Sequence, residues 1–597
     1  MMAEHGIYED LSRLQLRSRL TLAAVLALAA FLILFLWKIQ ILEHGKYWQR
    51  AEANRIRETV VSSPRGLVLD REGHILAQNV ASFKVSFIRE NCVELENCIG
   101  RISSILDLEP ETIRKRMDKY GDYPDFMPVP IDDNLDDREV ARIEARKAEM
   151  SELVIEAEPK RTYPLGSVAA HILGYIQEIS FSDIKAGTYP SKRLGDLIGR
   201  TGIEMACDSI LQGKDGRVLE VVDSLGRTMQ PLFSSEPSSG NNVRLTIDLD
   251  LQNKAEELLS EREGAIVVLS PVSGEVLAMA SFPTYDPNKF INRFSPQEWQ
   301  AFISNPDFPL ENRAIRGLYS PGSIFKLTMG LAGLELSTIS DQTTFWCDGQ
   351  TVIYGHPFNC WFSAGHGAMN LASAIQNSCN IYFYNLGRRI GIDNIAHYAR
   401  RIGFGARTGI ELPGEKEGLV PDPEWKERVR GAPWYPGETI SIAIGQGPLL
   451  VTPLQVASTT ALIANRGRMA APHLVLSTGA RPNPEAVIDP SNCEKIIVGM
   501  WESVNRGGTG RAALIDGFDV CGKTGSTQVI GRETAERLGL RGDEIKTHSW
   551  FTGFAPRNDP QVVVTVLVEF GGMGGSTAAP LARQILELYR NKYGGPR

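Results

Sequence analysis

The chain has 597 residues, of which 43% are hydrophobic and 22% charged, and carries a net charge of −8. That length exceeds what one hydrophobic core supports, since single cores stop growing near ~250–300 residues, so at least two domains are expected. The acidic balance excludes the broad basic surface of a nucleic-acid binder, and no low-complexity tract or short-period repeat breaks the globular composition.

The first element in chain order is an apolar run. Leu20–Trp37 is eighteen residues without a charge, close to the roughly 20 that cross a bilayer as a helix, and Ile39 and Ile41–Leu42 extend it. Arg13, Arg17 and Arg19 precede it, so the positive-inside rule places residues 1–19 in the cytoplasm, an anchor at 20–42, and everything after Lys38 outside. A cleaved signal peptide shares this shape, but bulky and charged residues follow the run where a small-x-small site would be needed. In an oxidising compartment Cys92 and Cys98, of eight cysteines in all, are close enough to close a small disulfide loop.

Residues 43–240 mix short strand-like runs with charged helical stretches such as Asp137–Lys147 and read as a spacer domain. Leu232–Asn242 is dense in Ser, Pro, Gly and Asn, the composition of a linker, which sets a boundary between 43–240 and 241–597. Val243–Asp248 alternates like a strand. Ala265–Ser270 and Val276–Ser281 flank turn residues and read as a hairpin. Ser323 to about Phe404 is helix-rich, Ser549–Phe554 and Val562–Phe570 are strand-like, and Leu581–Tyr593 has helical spacing. The fold class that follows is α+β, an antiparallel sheet covered by helices.

Three short motifs carry chemistry. Ser323-Ile324-Phe325-Lys326 follows Pro321-Gly322, which can start a helix at the serine, and spacing of i and i+3 puts hydroxyl and amine on one face. A serine needs a base to become a nucleophile, and a desolvated lysine can be that base. Alone this pattern is common by chance. It is joined by Ser378-Cys379-Asn380, whose hydroxyl and amide suit proton relay and substrate anchoring. Lys523-Thr524-Gly525-Ser526 supplies a positive charge for a substrate carboxylate, hydroxyls, and a glycine that lets a peptide lie along a strand edge.

Ser-x-x-Lys, Ser-x-Asn and Lys-Thr-Gly in this order are the signature of penicillin-binding proteins and class A β-lactamases. The chain resembles the class B penicillin-binding proteins, and among them the elongation type. The resemblance rests further on Arg65-Gly66-Leu67-Val68-Leu69-Asp70, Arg161-Thr162-Tyr163-Pro164, His171-Ile172-Leu173-Gly174 and Gly199-Arg200-Thr201-Gly202-Ile203-Glu204 in a pedestal region. In the second half it rests on Phe282-Pro283-Thr284-Tyr285-Asp286-Pro287-Asn288, Gly445-Gln446-Gly447 and Trp550-Phe551-Thr552-Gly553-Phe554-Ala555-Pro556. It implies a transmembrane anchor, a pedestal (dimerisation-type) domain over 43–240 and a transpeptidase domain over 241–597. It also implies a location in the cytoplasmic (inner) membrane with a periplasmic catalytic domain. The implied activity is D,D-transpeptidation: Ser323 is acylated by a stem peptide ending in D-Ala-D-Ala and the acyl group passes to an amine of a neighbouring stem. Catalytic residues would be Ser323, Lys326, Ser378, Asn380 and Lys523, substrate-binding residues Thr524, Gly525 and Ser526, and the N–H groups of Ser323 and Ser526 the oxyanion hole. β-Lactams are the implied inhibitors. No glycan-polymerising motif precedes Gly240, so the implied partner is a RodA-type membrane glycosyltransferase within the elongation complex.

Cys347, Cys360, His366 and Cys379 lie within thirty-three residues, and three thiolates with one imidazole can close a tetrahedral structural zinc site. Elongation-type relatives carry a zinc near the active site, which adds to that expectation. Asp348 is the alternative to Cys347, and a Cys347–Cys360 disulfide or free thiols are the alternatives to metal. The acyl transfer itself requires no cofactor. Competing functions are a division-type transpeptidase, a D,D-carboxypeptidase or β-lactamase using the same acyl-enzyme, and a β-lactam sensor. No recognisable deacylating Glu accompanies the motifs, which disfavours hydrolysis.

Overall fold

The computed structural model describes residues 5–48, 56–121, 124–125, 127–147, 149–187, 196–222, 228–291, 294, 296–476, 486–528 and 546–594. The chain divides into two compact units. One comprises Met1–Pro64, Ala81–Lys160 and Gly213–Ser239, the other Arg65–Val80, Arg161–Gln212 and Gly240–Arg597.

In the smaller unit helix α1 (His5–Trp37) continues as a wider turn through Lys38–Leu42. Its Leu and Ala residues are strong helix formers, and it contains no internal Pro or Gly after Gly6. Leu20, Leu26 and Ile33 are each 60% or more exposed, an apolar surface all round the helix that a membrane span has in common with a signal sequence. Among the described residues it is the one helix long and apolar enough to cross a membrane, within Arg13–Leu42.

The same unit holds a three-stranded antiparallel sheet of Ile56–Val61, Gly216–Val222 and Thr228–Ser235. The strand Thr228–Ser235 takes in the first four residues of the expected linker Leu232–Asn242, a correction at its N-terminal end. Leu219 pairs with Phe233, Val218 with Ser234 and Arg217 with Ser235, so cross-strand pairing overrides the turn-like composition. Helix Leu95–Leu106 buries Ile99, Ile102, Ile105 and Leu106 at helical spacing, and Cys98 in its first turns is disulfide-bonded to Cys92. Helix Asp137–Glu144 starts at a capping box of Asp136 and Glu139 and stops short of the expected Lys147, where the chain passes into turns.

The larger unit is built on a five-stranded antiparallel sheet. Its strands are β1 (Gly264–Leu269), β2 (Val276–Phe282), β3 (Cys521–Gln528), β4 (Thr547–Ala555) and β5 (Val562–Val568), in the order β2-β1-β5-β4-β3. The expected hairpin is β1–β2. Every residue of β1 and β5 is buried, which explains their unbroken apolar runs: helices cover both faces, so no alternation is required. Helices α2 (Leu249–Leu259) and α8 (Ala578–Tyr593) pack with Ile266, Val268, Val564 and Val566 on one face. On the other face Val267, Leu269, Val563 and Leu567 pack with α3 (Lys326–Glu335), α4 (Leu371–Gln376), α5 (Asn380–Ile390), α6 (Pro453–Ala464) and α7 (Pro490–Asn505).

The expected strand Val243–Asp248 is shorter. Only Val243–Arg244 joins a ladder, parallel to Val68–Leu69. Beyond it Thr246 and Asp248 send their N–H groups to the carbonyls of Leu474 and Leu277, and the Asp248 carboxylate caps α2. The Arg-Gly and Gly-x-x-Gly motifs also fold into this unit as a buried ionic corner. Glu204, fully buried, accepts from Arg65 at 2.8 Å and from Arg161 at 2.7 Å, and Arg161 also donates to the Gly66 carbonyl. Such an arrangement fixes geometry, because removing Glu204 leaves the buried Arg161 without its carboxylate.

Candidate active site

Ser323 lies in a single 3₁₀ turn, Gly322–Phe325, which passes directly into α3 at Lys326. At three residues per turn, positions i and i+3 eclipse, so Ser323 and Lys326 project to one side. The expected helix start is therefore a tighter turn. Three contacts hold it: Tyr319 and Val451 exchange backbone hydrogen bonds, the Gly322 N–H donates to the Gly445 carbonyl at 3.0 Å, and the Thr527 hydroxyl donates to the Ser320 carbonyl at 3.0 Å. Gly445 has φ +72°, and a Cβ on it would stand 2.1 Å from the Gly322 carbonyl oxygen. Only glycine admits that approach.

Lys326 is fully buried and donates to the Ser378 carbonyl at 2.8 Å, the Asn380 Oδ1 at 2.7 Å and the Ser378 Oγ at 3.2 Å. Burial pushes its pKa down to about 8, opposed by the nearby Cys379 and Cys360 sulfurs. Ser378 Oγ is also the acceptor for Lys523 Nζ at 2.9 Å. Burial, and then the charge of Lys326, hold the Lys523 ammonium well below the ordinary lysine range. Two buried lysines thus converge on one hydroxyl, and Lys523 is spent on Ser378 and the Thr524 carbonyl inside the site.

The local fold explains how Ser378 reaches that point. Helix α4 ends at Gln376. The Ser378 N–H returns to the Ile375 carbonyl at 3.2 Å and the Cys379 N–H to that of Ala374 at 3.0 Å, the two bonds of a Schellman cap. The position after such a cap is left-handed, and Ser378 has φ +52°. Glycine is the residue this conformation favours, so the serine costs about 1 kcal/mol of backbone strain. Asn380 then opens α5, with Cys379 between the two motif residues as its cap.

Lys523, Thr524, Gly525 and Ser526 lie on β3, the edge strand of the sheet. Ser526 is exposed, and its Oγ accepts from the Gly574 N–H at 3.0 Å. A Cβ on Gly525 would press within 3.1–3.2 Å of the Pro321 carbonyl and Ile324, so this glycine also serves the packing of the nucleophile turn against β3. One residue that the motifs did not announce belongs here. The Thr524 hydroxyl donates to Thr509 Oγ1 at 2.8 Å, and the Thr509 N–H donates to the Gln376 carbonyl at 3.2 Å. Its only trace in the sequence is the glycine-dense Gly507-Gly508-Thr509-Gly510.

Cys347, Cys360, His366 and Cys379 converge beside this network, their ligand atoms all within 4.8 Å of one another. His366 Nδ1 is 3.5 Å from both Cys347 and Cys360 Sγ. Zinc bonds of ~2.3 Å to sulfur and ~2.05 Å to nitrogen at tetrahedral angles separate S and N by about 3.5 Å and two sulfurs by about 3.8 Å. The donor set and its spacing therefore fit a four-coordinate soft metal. All four residues are buried or nearly so, and the three thiols are not disulfide-bonded. Asp348 instead accepts from the Trp346 indole N–H, which favours Cys347 as the fourth donor. Two short antiparallel strand pairs, Phe345–Cys347 with Gly367–Met369 and, within their connection, Gln350–Ile353 with His356–Asn359, frame the cluster within the otherwise helical stretch.

An antiparallel sheet whose edge strand closes on a helical layer, with a serine–lysine turn wedged between them, is the architecture of the penicillin-interacting serine acyl-transferases. The chain belongs to the class B penicillin-binding proteins: residues 264–587 match the penicillin binding protein transpeptidase domain and residues 60–245 the penicillin-binding protein dimerisation domain. It is 34% identical to the peptidoglycan D,D-transpeptidase MrdA of Haemophilus influenzae over 93% of this chain and 89% of that protein. Among solved structures it is similar to penicillin-binding protein 2 of Helicobacter pylori in complex with MreC, with a TM-score of 0.80 and 29% identity, covering 90% of this chain and 99% of that one. A peptidoglycan synthase complex that coordinates polymerisation and crosslinking contains a chain 32% identical with a TM-score of 0.72, covering 97% of this chain and 99% of that one.

Proposed function

We infer that this protein is an elongation-type peptidoglycan D,D-transpeptidase acting through a Ser323 acyl-enzyme. The observation that carries this reading is the convergence of Lys326 and Lys523 on Ser378 Oγ at 3.2 and 2.9 Å beside the serine turn. In the reaction, Ser323 Oγ bonds to the carbonyl carbon of the penultimate D-Ala while the bond to the terminal D-Ala nitrogen breaks. Neutral Lys326 takes the hydroxyl proton, and the proton reaches the leaving amine through Ser378. An amine of a second stem then attacks the ester, forming the crosslink and freeing Ser323. Asn380 holds Lys326 in place. Thr524 and Ser526 face the donor peptide on the β3 edge, and the N–H groups of Ser323 and Ser526 receive the oxyanion. A β-lactam enters by the same first step, but its leaving nitrogen stays tethered. In this reading residues 1–19 are a cytoplasmic tail, 20–42 a single-pass anchor in the inner membrane, 43–240 a pedestal and 241–597 the periplasmic transpeptidase domain.

Base catalysis by Lys326 has a pH signature. Only the neutral amine accepts a proton, so Ser323 acylation should rise with pH, about tenfold per unit at low pH, and level off above the Lys326 pKa of about 8. Stopped-flow acylation by a fluorescent penicillin between pH 6 and 9.5 measures this, and a rate flat across that range contradicts it.

The Cys347, Cys360, His366 and Cys379 cluster is read as a structural zinc site. When bound, the metal would supply no step of the transfer. It would tie Cys379, which lies between Ser378 and Asn380, to the two strand pairs. Freshly purified, unchelated protein should contain one zinc per chain, and stripping it should lower the thermal midpoint by about 5 °C or more. Cobalt should restore the midpoint with thiolate-to-metal absorption. Metal-free protein with an unaltered midpoint contradicts the assignment.

The resemblance to a protein solved with MreC and to a chain of a polymerising and crosslinking complex supports partners of the elongation machinery, including a RodA-type glycosyltransferase. Co-purification of the full-length chain with such a polymerase tests this.

A further inference from the structure

Beside the three motifs stands a ring that none of them includes. Trp361 directly follows Cys360 and is 53% exposed, and its neighbour Phe362 is 43% exposed. An exposed tryptophan is usually mobile, but this one is not free to turn. Its indole N–H donates to the Asn377 carbonyl at 2.9 Å, one residue before Ser378. The segment carrying it is bonded to the site a second time, since Asn380 Nδ2 donates to the Asn359 carbonyl at 3.3 Å while Asn380 Oδ1 holds Lys326. Trp361, Phe362 and His366 pack as one aromatic group, with centroids 5.2–5.8 Å apart.

With its one polar group already satisfied by the protein, the Trp361 ring has only an apolar face to offer a ligand. This exposed apolar face is anchored one residue before Ser378, whose hydroxyl contacts both lysines. We propose that Trp361, supported by Phe362, is a specificity-determining residue whose ring stacks on the aliphatic part of the donor stem peptide, beyond the D-Ala-D-Ala end. This rests on the transpeptidase reading and deepens it. The occupant follows from the reaction: the site must hold an extended peptide whose last bond lies at Ser323, and each residue back from that bond advances it by about 3.3–3.6 Å. A β-lactam copies only the terminal dipeptide, so it gains less from such a wall.

The test uses the full-length protein in detergent and two acylating substrates, benzylpenicillin and uncrosslinked glycan strands bearing pentapeptide stems. For Trp361→Ala, kcat/KM for D-Ala release from stems should fall about tenfold, what one well-packed aromatic contact carries. The fall should lie in KM and exceed the fall in penicillin acylation at least fivefold. Trp361→Phe should recover part of the loss, because it keeps a smaller aromatic face while losing the N–H. Equal loss in Phe and Ala variants would show that the indole merely anchors Asn377, and would overturn the proposal. So would parallel loss of both substrates, a loss confined to kcat, or no loss. Wild-type protein that fails to release D-Ala, or is not acylated at Ser323, sinks the transpeptidase reading itself and is visible before any variant is made.

Discussion

Lys326→Ala should lower the rate of Ser323 acylation by about three orders of magnitude, within the range that a positioned general base contributes. The side chain is fully buried and touches the Ser378 carbonyl, the Ser378 hydroxyl and the Asn380 amide, so its loss removes the base and takes the donor from the Ser378 carbonyl and Asn380 Oδ1, while Ser378 Oγ keeps Lys523. Lys326→Met separates these effects, because it refills the volume without restoring a proton acceptor. It should be as inactive as Lys326→Ala toward fluorescent penicillin while melting closer to the parent. A loss of under tenfold in both variants would mean that the proton leaves Ser323 by another route.

The second large effect is expected at Ser378, where stability and chemistry separate. Ser378→Gly and Ser378→Ala both delete the hydroxyl shared by Lys326 and Lys523, and both should slow acylation by about a hundredfold or more. They differ in the backbone. At φ +52° glycine is at ease and alanine is not, so the glycine variant should be the more stable of the two by about 1 kcal/mol. Chemical denaturation with acylation rates on the same preparations reads both quantities. Equal stabilities would contradict the left-handed cap, and retained activity would contradict the role of the hydroxyl.

These two residues show what was legible in the sequence. Ser323 and Lys326 are neighbours on a helical turn, so their partnership follows from spacing alone. Ser378 and Lys523 are 145 positions apart, and no local pattern brings them together. Their meeting was available only through the resemblance. The hairpin of β1 and β2 and the last helix were legible because apolar runs, turn residues and 3.6-residue spacing are local signals. The strand Thr228–Ser235 was not, since its composition is that of a loop and its pairing partner decides it. Thr509 escaped for a related reason. A threonine among glycines reads as a turn, and its hydroxyl acquires meaning only where α7 delivers it to Thr524. Trp361 is likewise unremarkable until its N–H is found on the Asn377 carbonyl. The cysteine and histidine cluster was legible as a set of donors, whereas its irregular spacing conceals the two small strand pairs that gather it.

Ser323 acts by forming a covalent bond, and mass spectrometry of the penicillin-treated full-length protein measures it. The chain should gain the mass of one penicilloyl group, proteolysis should map it to the peptide containing Ser323, and the adduct should persist far longer than a β-lactamase intermediate would. No mass increment, an increment mapped to any other residue, or rapid release of hydrolysed penicillin would contradict it.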